Sequence, residues 1–94
     1  MRARRKANKN ARRRARAFGA TEVEEIDSYF VRQRDNELCH LCGRWVSVHD
    51  ASLDHVVPLA KGGQHTLDNV KLAHKVCNSK KGDRLLGEID WTTF

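Results

Sequence analysis

The sequence contains no long hydrophobic run and no signal-like leader, so it predicts neither a membrane-spanning helix nor secretion. It has only three cysteines, an odd number that cannot pair completely into disulfides. We therefore expect a reducing cytosol, with the thiols serving as metal ligands. The chain of 94 residues also builds only a marginal core, so a bound metal is expected to stabilise one small domain.

The first sixteen residues contain no acidic side chain, yet nine of the eighteen basic residues lie there. The rest of the chain has nine basic against twelve acidic residues, a net charge of −3 with histidine neutral. We therefore interpret residues 1–19 as a flexible basic arm that binds phosphates without reading sequence. The alternatives are a solubilising tail or a mitochondrial targeting peptide, although no serine precedes Ser28. The candidate nucleic-acid contacts in the arm are Arg12, Arg13, Arg14 and Arg16.

Two pairs of metal-ligating residues share a spacing of three. Cys39 and Cys42 form the first pair, and His74 and Cys77 form the second, which on a helix would share one face. A single Cys-x-x-Cys also occurs in redox motifs, but the two pairs together use every cysteine in the chain. They predict a structural zinc site with four protein ligands and no open position. His40, between the two thiols, is expected to point to solvent.

An acidic residue and a histidine lie side by side in an apolar stretch. Asp54 and His55 are flanked by leucine and valine, where polar side chains cost free energy unless they are paired or used. A carboxylate together with an amide oxygen suits Mg²⁺ or Mn²⁺, and Asn78, about 100° round the helix from Cys77, supplies the amide. A histidine near its ordinary pKa suits the deprotonation of water. The alternative is an Asx turn beside a buried core histidine.

These residues lie within a motif that resembles the HNH endonuclease family, and more narrowly the small zinc-bearing HNH proteins of bacteria and their phages. The resemblance covers residues 37–84. It rests on the zinc frame and on four stretches of sequence: Leu53–Leu59, Gly62-Gly63, Asp68–Val70 and Cys77–Asp83.

The resemblance implies an α+β fold of the ββα-metal (His-Me finger) type, with strands near 51–57 and 70–73 and a helix near 74–82. Residues 20–94 would then form one nuclease domain, with the zinc knuckle at 39–42 joined to 74–77. The apolar spacing after Thr21-x-x-Glu24, a capping-box pattern, predicts a preceding helix at about 22–34 that docks Val23, Ile26 and Phe30 on the core.

The resemblance also implies roles for individual residues. His55 matches the general base, while Asp54 and Asn78 match the ligands of a catalytic divalent ion: Mg²⁺, Mn²⁺ or Ni²⁺. Asn69 matches the middle asparagine, which braces the loop between the strands and helps to hold the base. Basic residues at the end of the helix are candidate phosphate contacts, with solvation as the alternative: Lys80, Lys81 and Arg84. Lys61 and His65, in the Gly-Gly loop, are further candidates.

The expected function is metal-dependent hydrolysis of DNA, by nicking or double-strand cleavage, with weak sequence preference. The expected state is a monomer or weak dimer in the cytoplasm of a bacterial or phage-infected cell, with no membrane partner. The alternatives are a non-catalytic zinc-knuckle module that binds nucleic acid, or an accessory protein of a phage packaging or DNA-processing machine with packaging proteins as partners. A protein that only binds nucleic acid would have no need of Asp54, His55 and Asn78 together.

Overall fold

The computed structural model describes residues 12–94, and the rest of the predicted basic arm, residues 1–11, lies outside them. The described helices and strands, in chain order, are α1 (residues 12–17), α2 (Ser28–Arg34), β1 (Ala51–His55), β2 (Val70–His74) and α3 (Lys75–Lys81). Short 3₁₀ turns connect or follow them. This order confirms the predicted α+β fold, a two-stranded sheet followed directly by a helix.

The sheet positions the rest of the molecule. β1 and β2 pair antiparallel, with Ala51 opposite His74 and His55 opposite Val70. Leu72 of β2 is buried, and α2 and α3 both pack against this strand. The buried core is small, and it includes the two zinc-ligand candidates Cys39 and Cys77. A core of this size agrees with the expected need for a metal.

Helix α2 begins later than the predicted boundary near residue 22. The side chain of Asp27 accepts a hydrogen bond from the backbone N–H of Tyr29 at 2.9 Å, and so it caps the helix at Ser28. The capping box predicted from Thr21 is therefore wrong. Phe30, predicted to dock on the core, is 51% exposed, whereas Val31 is fully buried.

The segment before α2 is bound to a distant loop instead of forming a helical turn. Val23 forms a parallel bridge with His65, and Glu24 accepts a hydrogen bond from the backbone N–H of Leu67 at 2.6 Å. Glu24 is the residue that a capping box would have used in the helix. Contacts between segments distant in sequence have overridden the local signal.

Helix α3 begins at Lys75, so His74 is the last residue of β2 and does not share a helical face with Cys77. The strand leads straight into the helix, and the two side chains still converge. Gly82 ends the helix as predicted, with φ at +58° and its N–H donating to the carbonyl of Asn78 at 3.0 Å.

Part of the segment assigned to a flexible arm packs against the domain. Residues 12–17 are helical, and Ala15 is fully buried. The N–H of Ala20 donates to the carbonyl of Ala15 at 3.1 Å, which closes the end of this helix. Helix α1 is thereby held against the folded domain.

Across the described residues 12–94, every helix is too short and too polar to cross a lipid bilayer.

Candidate active site

Four side chains meet where the knuckle faces the junction of β2 and α3. The ligand atoms of Cys39, Cys42, His74 and Cys77 all lie within 4.8 Å of one another. The Nδ1 atom of His74 is 3.3 Å from Sγ of Cys42 and 3.8 Å from Sγ of Cys77. Ligands of a tetrahedral zinc ion are spaced by about 3.6–3.8 Å, given ordinary Zn–N and Zn–S bonds. The predicted cluster is therefore confirmed, and its donor set fits zinc.

Hydrogen bonds around the cluster hold the ligands in place. Nε2 of His74 lies 2.9 Å from the carbonyl oxygen of Trp45; donation to that oxygen leaves Nδ1 for a metal. The backbone N–H of Cys42 points at Sγ of Cys39, 3.5 Å away. Gly43 turns the chain with φ at +78°, a conformation open to glycine, and donates to the carbonyl of Cys39 at 2.8 Å.

The thiols are crowded when no metal binds them. Burial, together with the neighbouring Cys39 and Cys42, raises the pKa of Cys77 to about 12. Binding of zinc would therefore displace a firmly held proton from Cys77, which would couple metal binding to proton release.

A cleft of about 290 Å³ opens beside the sheet, on the side of α1. It is lined by Asp54 and His55 from the end of β1 and by Asn78 from α3. Arg14 and Phe18, from α1 and the turn after it, also line it. The structure therefore brings Asp54, His55 and Asn78, three of the four residues predicted to be catalytic, together with one arginine of the basic arm. Neighbouring strand residues normally face opposite sides, but β1 ends at His55, and both side chains reach the cleft.

The carboxylate of Asp54 is 3% exposed and has two partners. Its Oδ2 lies 2.8 Å from Nε2 of His40, and its Oδ1 lies 3.2 Å from the ammonium of Lys81. The expectation that His40 points to solvent is therefore wrong, because its side chain is only 12% exposed and faces Asp54. This contact links the zinc knuckle directly to the cleft.

Lys81 does not lie on the surface, where a phosphate contact was predicted. It is fully buried, and its ammonium also donates to the carbonyl of His55 at 3.0 Å. The neighbouring Lys80 is exposed and donates to the carbonyl of Thr93 at 3.3 Å. Arg84, also exposed, binds the last carbonyls of α3. Of the three basic residues predicted here, Lys80 and Arg84 are on the surface.

Asn78 joins the helix to the sheet at the edge of the cleft. Its Nδ2 donates to the hydroxyl of Ser52 on β1 at 2.8 Å. That bond fixes the amide plane and leaves Oδ1 as an acceptor. Asp54 and Asn78 together offer oxygen ligands, the kind that hard divalent ions prefer.

His55 is nearly buried and faces a second histidine. Its Nε2 lies 2.9 Å from Nδ1 of His65, which is 1% exposed. Burial, then His65 and the positive charge of Arg14, lower the pKa of His55 to about 4. His65 was expected near the nucleic-acid backbone, and its burial corrects that expectation. The only sequence signal for a role of His65 was its position two residues after Gly63.

Asn69 braces the loop between the strands. Its Oδ1 accepts from the backbone N–H of Val57 at 2.9 Å, and its Nδ2 donates to the carbonyls of Val57 at 3.0 Å and Gln64 at 2.8 Å. One side chain thus ties the segment just after His55 to the residue just before His65.

Residues 39–84 match the family model described as HNH endonuclease. The matched range contains both zinc pairs, Asp54, His55, Asn69 and Asn78, and it excludes α1 and α2. No curated protein is similar enough to the chain to count as a match.

Proposed function

Because residues 39–84 match the HNH endonuclease family model, we propose that the protein is a metal-dependent endonuclease that hydrolyses DNA phosphodiester bonds. The observation that carries the proposal is the cleft in which Asp54, His55 and Asn78 lie together with Arg14. A metal-ligand pair, a neutral base and a phosphate-binding cation are what hydrolysis of a phosphodiester requires.

Asp54 and Asn78 are proposed to hold a divalent ion, Mg²⁺, Mn²⁺ or Ni²⁺, through their side-chain oxygens. When bound, such an ion supplies a Lewis acid for the phosphate and stabilises the leaving 3′ oxygen. Each carboxylate oxygen has two lone pairs, so Asp54 can keep one contact to His40 and still bind a cation. The closed zinc site is proposed to stabilise the fold only.

His55 is proposed to take the proton from the attacking water. With its pKa lowered to about 4, the imidazole is neutral at physiological pH and has a free lone pair, but it is a weaker base than the histidine of ordinary pKa expected from the sequence. Its position at the end of β1, next to Asp54, supports a base and an ion that act on one phosphate. Asn69 supports this arrangement through the loop that it braces.

Arg14 is proposed to bind the scissile phosphate, because it lines the same cleft. Within residues 12–94 its guanidinium has no acidic partner, so its donors are available to a ligand. A guanidinium presents two parallel N–H groups to a phosphate, which orients the phosphate as well as attracting it. The exposed Arg13, Arg16, Lys80 and Arg84, with the half-buried Arg12, would hold flanking phosphates without reading bases.

These features support cleavage with weak sequence preference, by nicking one strand or by cutting both. We propose that the protein acts as a monomer or weak dimer in the cytoplasm of a bacterial or phage-infected cell, where three unpaired thiols can remain reduced.

The pairing of Asp54 favours a second candidate function. Both carboxylate oxygens already have partners, His40 and Lys81, which would suit an acid with a purely structural role. The protein would then be a non-catalytic nucleic-acid-binding module, or an accessory protein that works with phage packaging proteins. Cleavage distinguishes the two candidates.

The test is a nicking assay on supercoiled plasmid with the purified zinc-loaded chain. It is run without added metal and then with Mg²⁺, Mn²⁺ or Ni²⁺, and His55→Ala and His49→Ala are assayed in parallel. His49 is an exposed histidine outside the cleft, so its variant should cut like the wild type. We expect metal-dependent open-circular product from the wild type and from His49→Ala. The cleavage rate of His55→Ala should be lower by at least about 100-fold. DNA binding without cleavage under every metal would establish the second candidate.

A further inference from the structure

The contact between His55 and His65 has a consequence for which nitrogen of His55 can act as a base. Nε2 of His55 and Nδ1 of His65 are 2.9 Å apart, so one of them carries a proton and the other accepts it. Two N–H groups cannot face each other at this distance, and two lone pairs would make no bond. The pair therefore leaves two linked patterns: either Nε2 of His55 donates to Nδ1 of His65, or Nδ1 of His65 donates to Nε2 of His55.

The surroundings hold His65 rigidly. Its backbone N–H donates to the carbonyl of Glu22 at 3.0 Å, and its carbonyl accepts from the N–H of Glu24 at 2.8 Å. Gly63 lets the loop before His65 approach the backbone of Val57 closely, because a Cβ at residue 63 would lie 1.8 Å from the carbonyl oxygen of Val57. The clamp of Asn69 on Gln64 fixes the preceding residue. His65 is thus a fixed point against which the ring of His55 is oriented.

The charges around the cleft decide the direction of the hydrogen bond. The positive charges of Arg14 and Lys81 act on the ring of His55, and the opposing carboxylate of Asp54 is already bonded to His40 and Lys81, so an N–H dipole pointed into the cleft is unfavourable. The favoured arrangement therefore has the N–H of His55 directed at His65 and its lone pair directed at the cleft. Because Nε2 is the nitrogen that faces His65, the proton belongs there.

We propose that His65 is a positioning residue that accepts a hydrogen bond from Nε2–H of His55 and thereby keeps the lone pair of His55 on Nδ1, the nitrogen left for the cleft. His65 touches no substrate in this account and acts only through His55. The value of this tautomer for catalysis rests on the proposed nuclease activity, whereas the tautomer itself does not.

The test reads the tautomer directly, by long-range ¹H–¹⁵N correlation spectra of the ¹⁵N-labelled, zinc-loaded full chain at pH 7.5. In the wild type we expect His55 to show a protonated Nε2 and an unprotonated Nδ1. The opposite pattern, or an even mixture, would overturn the proposal. This readout needs no cleavage, so an inactive protein with the expected tautomer would reject the nuclease function and leave this inference intact.

Two variants separate positioning from packing. His65→Phe keeps an aromatic ring but removes the acceptor, and it should turn the single tautomer of His55 into a mixture. His65→Asn places a side-chain oxygen where Nδ1 stood and should restore the Nε2–H form. If the wild type cuts DNA, His65→Phe should lower kcat by about 10-fold or more with little change in KM. A single Nε2–H tautomer in a folded, zinc-loaded His65→Phe would overturn the positioning role, and the wild-type spectrum decides the matter if that variant does not fold.

Discussion

Lys81 shows how much depends on one buried side chain. Its ammonium is fully enclosed and bonds to Asp54 and to the carbonyl of His55, the two adjacent residues on which the proposed chemistry depends. A buried charge is tolerated only when it is paired, and removing one partner leaves the other unpaired. We therefore assign Lys81 to the support of the cleft and not to the binding of DNA.

Lys81→Met should accordingly destabilise the domain. The methionine fills a similar volume, but it leaves Asp54 without its buried cation, at an expected loss of about 3 kcal/mol in the free energy of unfolding. The matched control is Lys80→Met, on the same helix but exposed, which should change it by less than about 0.5 kcal/mol. Urea titrations of both zinc-loaded variants make the comparison. Equal free energies of unfolding for Lys81→Met and Lys80→Met would show that the buried pair of Lys81 and Asp54 contributes little to stability.

At the scale of elements, the knuckle at residues 39–42 serves two sites. Its thiols contribute to the zinc cluster, and His40 between them reaches Asp54 in the cleft. The backbone N–H of His40 also donates to the carbonyl of Leu72 in β2 at 3.0 Å, which anchors the knuckle on the sheet. Zinc bound by this cluster would stabilise the loop that orients a proposed ligand of the second ion.

His40→Ala should therefore weaken the binding of the second ion without removing the zinc. Loss of a hydrogen bond behind a metal ligand typically costs about 10–100-fold in affinity, and we expect a change in the Kd for Mn²⁺ in that range. Calorimetric titration of zinc-loaded protein measures it, with zinc content checked separately. His49→Ala is the control. An unchanged Mn²⁺ affinity in a His40→Ala protein that retains its zinc would show that the knuckle does not support the binding of the second ion.

At the scale of the whole molecule, the charge is divided between a basic N-terminal segment and a folded remainder of net charge −3. The described part of the basic segment is not remote from the site, because Arg14 lines the cleft while Arg13 is simply exposed. The proposed binding of DNA and the proposed cleavage of DNA would therefore both involve helix α1.

This division predicts different effects for two neighbouring arginines. Arg13→Ala and Arg14→Ala should each reduce the slope of log K against log salt by up to about 0.9, as expected for one lost phosphate contact. Only Arg14→Ala should also slow cleavage of fully bound plasmid under single-turnover conditions. Binding isotherms at several salt concentrations and single-turnover time courses test this. Equal cleavage rates for the two variants would exclude Arg14 from the scissile phosphate.

The parts of the site that the sequence predicted are those in which spacing carries the information. The zinc ligands come as two pairs of fixed spacing, and Asp54, His55 and Asn78 stand within a recognisable motif. The contacts of His40 and His65 depend on how a knuckle and a loop fold over the sheet, and no local pattern encodes that. The start of α2 was predicted wrongly because Glu24 bonds to Leu67, 43 residues away.

The central claim is that Asp54 and Asn78 hold a divalent ion and that His55 acts on water beside it. The most direct measurement titrates Mn²⁺ into the zinc-loaded chain by electron paramagnetic resonance, with cleavage assayed on the same samples. We predict that the wild type binds one Mn²⁺ and cuts, His55→Ala binds one Mn²⁺ and does not cut, and Asp54→Ala does neither. Mn²⁺ binding that survives Asp54→Ala unchanged, or cleavage that survives His55→Ala, would contradict the account.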